Sequence, residues 1–121
     1  MEEYSFEKLL AYQSTLKHVV SVYRLMDKFP SSERYALCDQ LRRAIISVPS
    51  NIAEGSGRVS VKEKIHFLEI AFGSLMESYC QLQIAQDLGY LSSDDINSIK
   101  SQFFDCSRLI SGLKKSFEAK L

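Results

Sequence analysis

Glu63-Lys64-Ile65-His66 has the Glu-x-x-His spacing of di-metal helical bundles. Such centres need two of these motifs and two further inward carboxylates. The only other histidine, His18, has Thr15 at the matching position, so half of the ligand set is missing. Cys38, Cys80 and Cys106 are scattered and form no CxxC pair or Cys/His cluster for zinc. Gly55-Ser56-Gly57 lacks the preceding strand of a nucleophile elbow. Gly57-Arg58-Val59-Ser60-Val61-Lys62 lacks the spacing of a phosphate-binding loop. No catalytic residue, metal, cofactor or small-molecule substrate is therefore expected.

The chemistry that remains is ionic. Arg42 and Arg43 lie about two turns before Pro49, and Asn51 and Glu54 follow it. The pair suits an anion site for phosphate or RNA, or an Arg–carboxylate network that fixes packing or an interface. Pro49 lies inside an apolar pattern that continues through Val48 and Ile52. A proline there removes one helical hydrogen bond and costs roughly 3 kcal/mol, so a kinked helix is expected. Ser47, Ser50 or Asn51 would serve the freed backbone groups. Gly73-Ser74 is a second oddity, since an interior helical glycine costs about 1 kcal/mol relative to alanine. Its small side chains would admit a neighbouring helix, with the Pro49 region as the candidate partner.

These groups must sit on helices. Apolar residues recur at steps of three and four in four successive segments. The first stripe is Leu9, Tyr12, Leu16, Val19, Tyr23 and Met26, and the second is Cys38, Leu41, Ile45, Val48 and Ile52. The third runs Val61, Ile65, Leu68, Phe72, Leu75, Tyr79 and Leu82; the fourth runs Ile96, Ile99, Phe103, Cys106, Ile110, Leu113 and Phe117. Ser5 is the expected cap of a first helix reaching Lys28, which Phe29-Pro30 ends. Ser31 or Ser32 would cap the second helix, and Gly55 and Gly57 suit a left-handed stop. Ser60 with Glu63 has the spacing of a capping box, Gly89 stops the third helix, and Ser92 followed by Asp95 begins the fourth with Asp94 and Asp95 at its positive end. Each helix should span roughly 24 to 29 residues. Short links make neighbours antiparallel, so residues 1–121 are read as a single all-α, up-down-up-down four-helix bundle domain.

The 121 residues are 45% hydrophobic and 25% charged, which excludes a disordered chain. Fifteen basic and fifteen acidic residues cancel, so net charge gives no argument for nucleic acid or an anionic membrane. Their distribution is uneven. From Arg34 to Lys64 six bases meet three acids, whereas Ile65 to Asp95 contains five acids and no Lys or Arg. Phe6, Leu10, Val20, Tyr35, Phe67, Phe104 and Leu109 fall outside the stripes, which fits either a second interface and an oligomer or a wide core-facing stripe. No apolar run approaches the ~20 residues that cross a bilayer. With three scattered cysteines and an acidic Met1-Glu2-Glu3-Tyr4, the expectation is a cytoplasmic protein.

Gln40 to Gly55 resembles the signature of a family of four-helix bundles encoded in intervening sequences of bacterial large-subunit ribosomal RNA genes, also labelled a ribosomal protein. The resemblance extends to Phe29-Pro30, Phe67-Leu68-Glu69-Ile70-Ala71, Gly73-Ser74-Leu75, Glu77 and Leu88-Gly89-Tyr90-Leu91. It departs at Ser78-Tyr79, where many relatives carry Leu-Glu. The resemblance implies an antiparallel bundle assembling as a homopentamer. A distantly related branch, the accessory protein of diversity-generating retroelements, is a basic pentamer that works with nucleic acid. The expected function is an RNA-associated accessory protein, with Arg42, Arg43, Arg58, Lys62 and Lys64 contacting phosphates. The alternative is a protein-binding or scaffolding oligomer. Pairing of the arginines with Glu54 or Glu77 would favour the alternative; one continuous basic surface would favour RNA. Pro49, Asn51, Glu54, Gly73, Ser74 and Glu77 are then structural or interface residues.

Overall fold

The computed structural model describes residues 2–121; Met1 of the acidic N-terminal stretch lies outside them. Four helices form: α1 (Leu10–Met26), α2 (Leu37–Ser56), α3 (Val61–Asp87) and α4 (Ser93–Glu118), with short 3-10 turns at Ser5–Lys8 and Ser31–Glu33. Cross-helix pairs fix their directions. Ser14 meets Cys106, His18 meets Gln102 and Lys28 meets Asp95, so α1 and α4 run antiparallel. Ser47 meets Ser74 and Gly55 abuts Phe67, which sets α2 against α3 in the same sense. Tyr79 packs edge-on to Phe103 and Lys114 reaches Glu69, so α3 and α4 are antiparallel too. The backbones of the diagonal pairs do not approach one another, and α2 and α3 share the most extensive interface.

Leu41, Ile45, Val48, Ile52, Leu75, Leu82 and Ile110 are wholly buried. Each stabilises the fold by about 1.5–3 kcal/mol relative to an exposed side chain. The α2 stripe holds as expected; that of α3 holds with Val61, Phe72 and Tyr79 half-buried, and that of α4 with Leu113 and Phe117 half-buried. The α1 stripe does not. Its inward residues are Ala11, Thr15, His18, Val22 and Leu25, whereas Leu16 and Tyr23 are exposed. Two polar residues, Thr15 and His18, occupy positions of the same three-four spacing and hid the true face.

The helix ends depart from expectation in three places. The first helix is 17 residues long, and Leu9 (ψ 128°) separates it from the turn at Ser5–Lys8. There the Tyr4 N–H donates to the Glu7 carboxylate at 2.6 Å, and Gln13 Nε2 donates to the Glu7 carbonyl at 2.8 Å. These local partners compete with the helical ladder. Neither Ser31 nor Ser32 caps α2, which begins beyond Ala36 where Leu37 and Cys38 first enter the core. Gly57 has an ordinary helical φ of −83°, and Gly55 is a buried helical residue. The left-handed stop is at Gly89 alone (φ 86°). Tyr90 N–H donates to the Ala85 carbonyl and Gly89 N–H to that of Gln86, which closes α3 in a Schellman motif.

The α4 cap forms as expected: Asp95 N–H donates to Ser92 Oγ and Ser92 N–H to the Asp95 carboxylate, at 3.1 and 2.9 Å. Ser60 Oγ accepts from Glu63 N–H at 3.0 Å, one arm of the expected box. No helix is long and apolar enough to cross a membrane among the described residues.

Candidate nucleic-acid interface

Helix α2 runs unbroken through Pro49, whose buried ring faces α1 beside Tyr12, Leu16 and Ile46. On the α3 side of the same turn, Asn51 Nδ2 donates to the Ser47 carbonyl at 2.7 Å and to Ser47 Oγ at 2.8 Å. Ser47 Oγ lies 2.9 Å from Ser74 Oγ. Either hydroxyl can donate, since Ser47 Oγ keeps a second lone pair after accepting from Asn51. This polar chain ties α2 to α3 where proline has removed a backbone donor. Ser74 is thus a partner of the Pro49 turn, but Gly73 is not. A Cβ at Gly73 would meet nothing within 4 Å, whereas one at Gly55 would fall 2.8 Å from Phe67 Cβ. Gly55 is therefore the close-approach glycine; Gly73 points outward beside Glu69 and Lys114.

The arginines pair with neither Glu54 nor Glu77. Asp39, on their own helix, sits 3.6 Å from Arg42 and 3.2 Å from Arg43. Arg42 also donates to the Arg34 carbonyl at 3.1 Å. The Arg43 side chain is 81% exposed and Asp39 41%. A pair this open to water is worth at most about 1 kcal/mol. Glu54 is bound by Arg58 at 3.1 Å, and Glu77 accepts from Gln81 Nε2 at 3.4 Å. Glu77 and Arg43 flank the shallow α2–α3 groove floored by Ala44, Ser47 and Ser74.

The candidate cations fall into two sets. Arg42 and Arg58 are sixteen residues apart on and just past α2, about 24 Å along the axis. Arg58, Lys62 and Lys64 lie at the α2–α3 turn. There Lys64 Nζ donates to the Ser56 carbonyl at 3.0 Å. The Arg58 guanidinium stacks 4.7 Å from the Phe67 centroid, and the ammonium groups of Lys64 and Lys120 lie 5.9 and 5.3 Å from that of Phe117. The five residues thus do not form one surface. The sequence reading missed Phe67, Phe117 and the α4 lysines beside them, although Lys114-Lys115 and the Phe117/Lys120 spacing are visible in the chain.

His18 was also missed. It is wholly buried, with Nδ1 3.1 Å from Gln102 Oε1 and its ring edge-on to Phe103 at 4.1 Å. Nε2 has no hydrogen-bond partner among the described residues. Desolvation lowers its pKa from the usual 6.5, and the Gln102 contact offsets this in part. Glu63 and His66 stand exposed at the start of α3, and no group of three or more His, Cys, Asp or Glu is placed to hold a metal among the described residues.

The helix order and the buried seams define an all-α four-helix bundle. The family of 23S rRNA-intervening sequence proteins matches residues 7–112, and the chain belongs to it. A crystal structure of a protein of unknown function from the S23 ribosomal protein family of Bacteroides thetaiotaomicron VPI-5482 superposes with a TM-score of 0.79. It is 20% identical, and the alignment covers 88% of this chain and 96% of that one. No curated protein matches.

Proposed function

We propose that this protein is a non-enzymatic, cytoplasmic RNA-associated bundle that works as a homo-oligomer, a homopentamer if it follows the assembly its sequence resemblance implies. One observation carries the RNA reading: at the α2–α3 turn Lys62 is exposed and pairs with no carboxylate among the described residues. The Arg58–Glu54 pair beside it is solvent-open, so exchanging a carboxylate for a phosphate costs little. Membership of a family named for 23S rRNA sequences supports the same partner. The test is binding to ribosomal RNA fragments and to a scrambled RNA across a salt series. Affinity should fall with salt by roughly 0.7–0.9 log units per phosphate contacted. Absence of binding at low salt refutes the reading.

A scaffolding role is the second reading, and the exposed Leu16, Val20 and Ile46 along the α1–α2 side favour it. Solution mass decides the assembly: a monomer would remove the oligomer from both readings.

A further inference from the structure

We infer that RNA is gripped at one end of the bundle, where the α2–α3 turn meets the last turns of α4, by lysines around Phe67 and Phe117, and that the target is single-stranded. The inference rests on the RNA reading and names the site and the form of the ligand. The two ends of the bundle differ in charge. Lys28 and Asp95 join one end at 2.5 Å. Segments 27–43 and 87–95, which build that end, contain four bases against six acids. Arg42 and Arg43 lie within this acidic setting, which repels a polyanion. At the opposite end, segments 56–64 and 114–120 contain Arg58, Lys62, Lys64, Lys114, Lys115 and Lys120 against Glu63 and Glu118, and the N-terminal segment 2–8 beside them adds Lys8 against Glu2, Glu3 and Glu7, which leaves seven bases to five acids. Contacts between segments prove that they converge: Lys64 spans from Ser56 to Phe117. Lys62, Lys115 and Lys120 are exposed and unpaired with any carboxylate among the described residues.

Charge alone would take any polyanion. Aromatic rings among the cations narrow the ligand. Phe67 and Phe117 are half-buried rings already faced by cations. An unpaired base offers a π face to such a platform while its phosphates meet the surrounding lysines. A duplex keeps its bases stacked inside and gains only the phosphate contacts.

The test uses the full-length protein with an unstructured oligoribonucleotide of about 12 nucleotides and a duplex of the same length. Three variants are compared: Lys62→Gln/Lys115→Gln/Lys120→Gln, Phe117→Leu, and Arg42→Gln/Arg43→Gln. The triple lysine variant should flatten the log–log salt slope by about 2, three contacts at ~0.7 each. Phe117→Leu, which keeps an apolar contact with the core, should weaken single-strand binding about tenfold and leave duplex binding unchanged. The arginine variant should bind like the wild type; melting curves verify that each variant folds. Wild-type binding whose salt slope survives the lysine changes overturns this site while leaving the RNA reading intact. A wild type that binds neither RNA at low salt overturns both.

Discussion

Lowering the pH from 7.5 to 5.5 should weaken the fold through His18. The buried imidazole has a pKa below its usual value, whereas in the unfolded chain it titrates near 6.5, about the model-peptide value. Between those two values the unfolded chain binds a proton that the native protein does not. Stability is therefore fully present above about pH 6.5 and is lost as the pH falls through it. Unfolding free energy should be lower at pH 5.5 than at pH 7.5, by at most about 1.4 kcal/mol, the limit for a ring that stays neutral in the native state. For a domain of this size that limit corresponds to a melting temperature at most about 4–6 °C lower. Carboxylates titrate mainly below about pH 5, so the window is theirs only in part. Urea denaturation at the two pH values, in the wild type and in His18→Leu, isolates the histidine. Leucine fills the site without a titrating group, and the half-exposed Gln102 can turn to water. The variant should lose most of the pH difference. Equal wild-type stability at both pH values, or an undiminished drop in His18→Leu, would refute the assignment of a neutral buried imidazole.

Other tests follow from the packing and the caps. Gly55→Ala should destabilise by about 1–3 kcal/mol because its Cβ collides with Phe67 on α3, whereas Gly73→Ala should stabilise an unassembled chain by about 1 kcal/mol; thermal melts of the pair decide whether the two glycines are correctly told apart. Ser92→Ala removes the acceptor for the Asp95 N–H and should cost about 1 kcal/mol, read by chemical denaturation. A thiol reagent should label Cys80 in the native protein. Cys38 and Cys106 should react only on unfolding, since burial covers both and raises their thiol pKa; labelling of all three at one rate would contradict the core assignment.

Helices with strong apolar stripes were legible from sequence, because every buried residue of α2 and α4 is apolar and in α3 the polar Ser78 and Gln81 lie beside an otherwise apolar face. In α1 the core positions include Thr15 and His18, and apolar counting moved the face to Leu16 and Tyr23. Caps were readable where a serine and an acidic residue bond reciprocally, as at Ser92 and Asp95. They were not readable at Ala36, where burial of Leu37 and Cys38 rather than a side-chain acceptor sets the helix start. Which glycine meets a neighbour depends on the α2–α3 register, and no local pattern encodes that register. The same holds for the basic end. Lys62 and Lys120 are distant in the chain, and only the return of α4 to the α2–α3 turn brings them together.

The broad α2–α3 interface also bears on how the chain reaches its native state. Only residues 57–60 separate the two helices, so closing this loop sacrifices little chain entropy. The hairpin's contacts are local in sequence, the kind that form early and fast. Helix α1 is joined through the longer stretch 27–36, packs less extensively, and carries the unpartnered His18 nitrogen in its inward face. It is the element expected to dock last and to detach first. Hydrogen exchange should show amides of Ala11–Leu25 opening ahead of those in α2 and α3. Each opening would bare Pro49, Phe103 and Cys106, which makes the detachment of one helix, rather than global unfolding, the step at which this protein is vulnerable to proteases and to wrong partners.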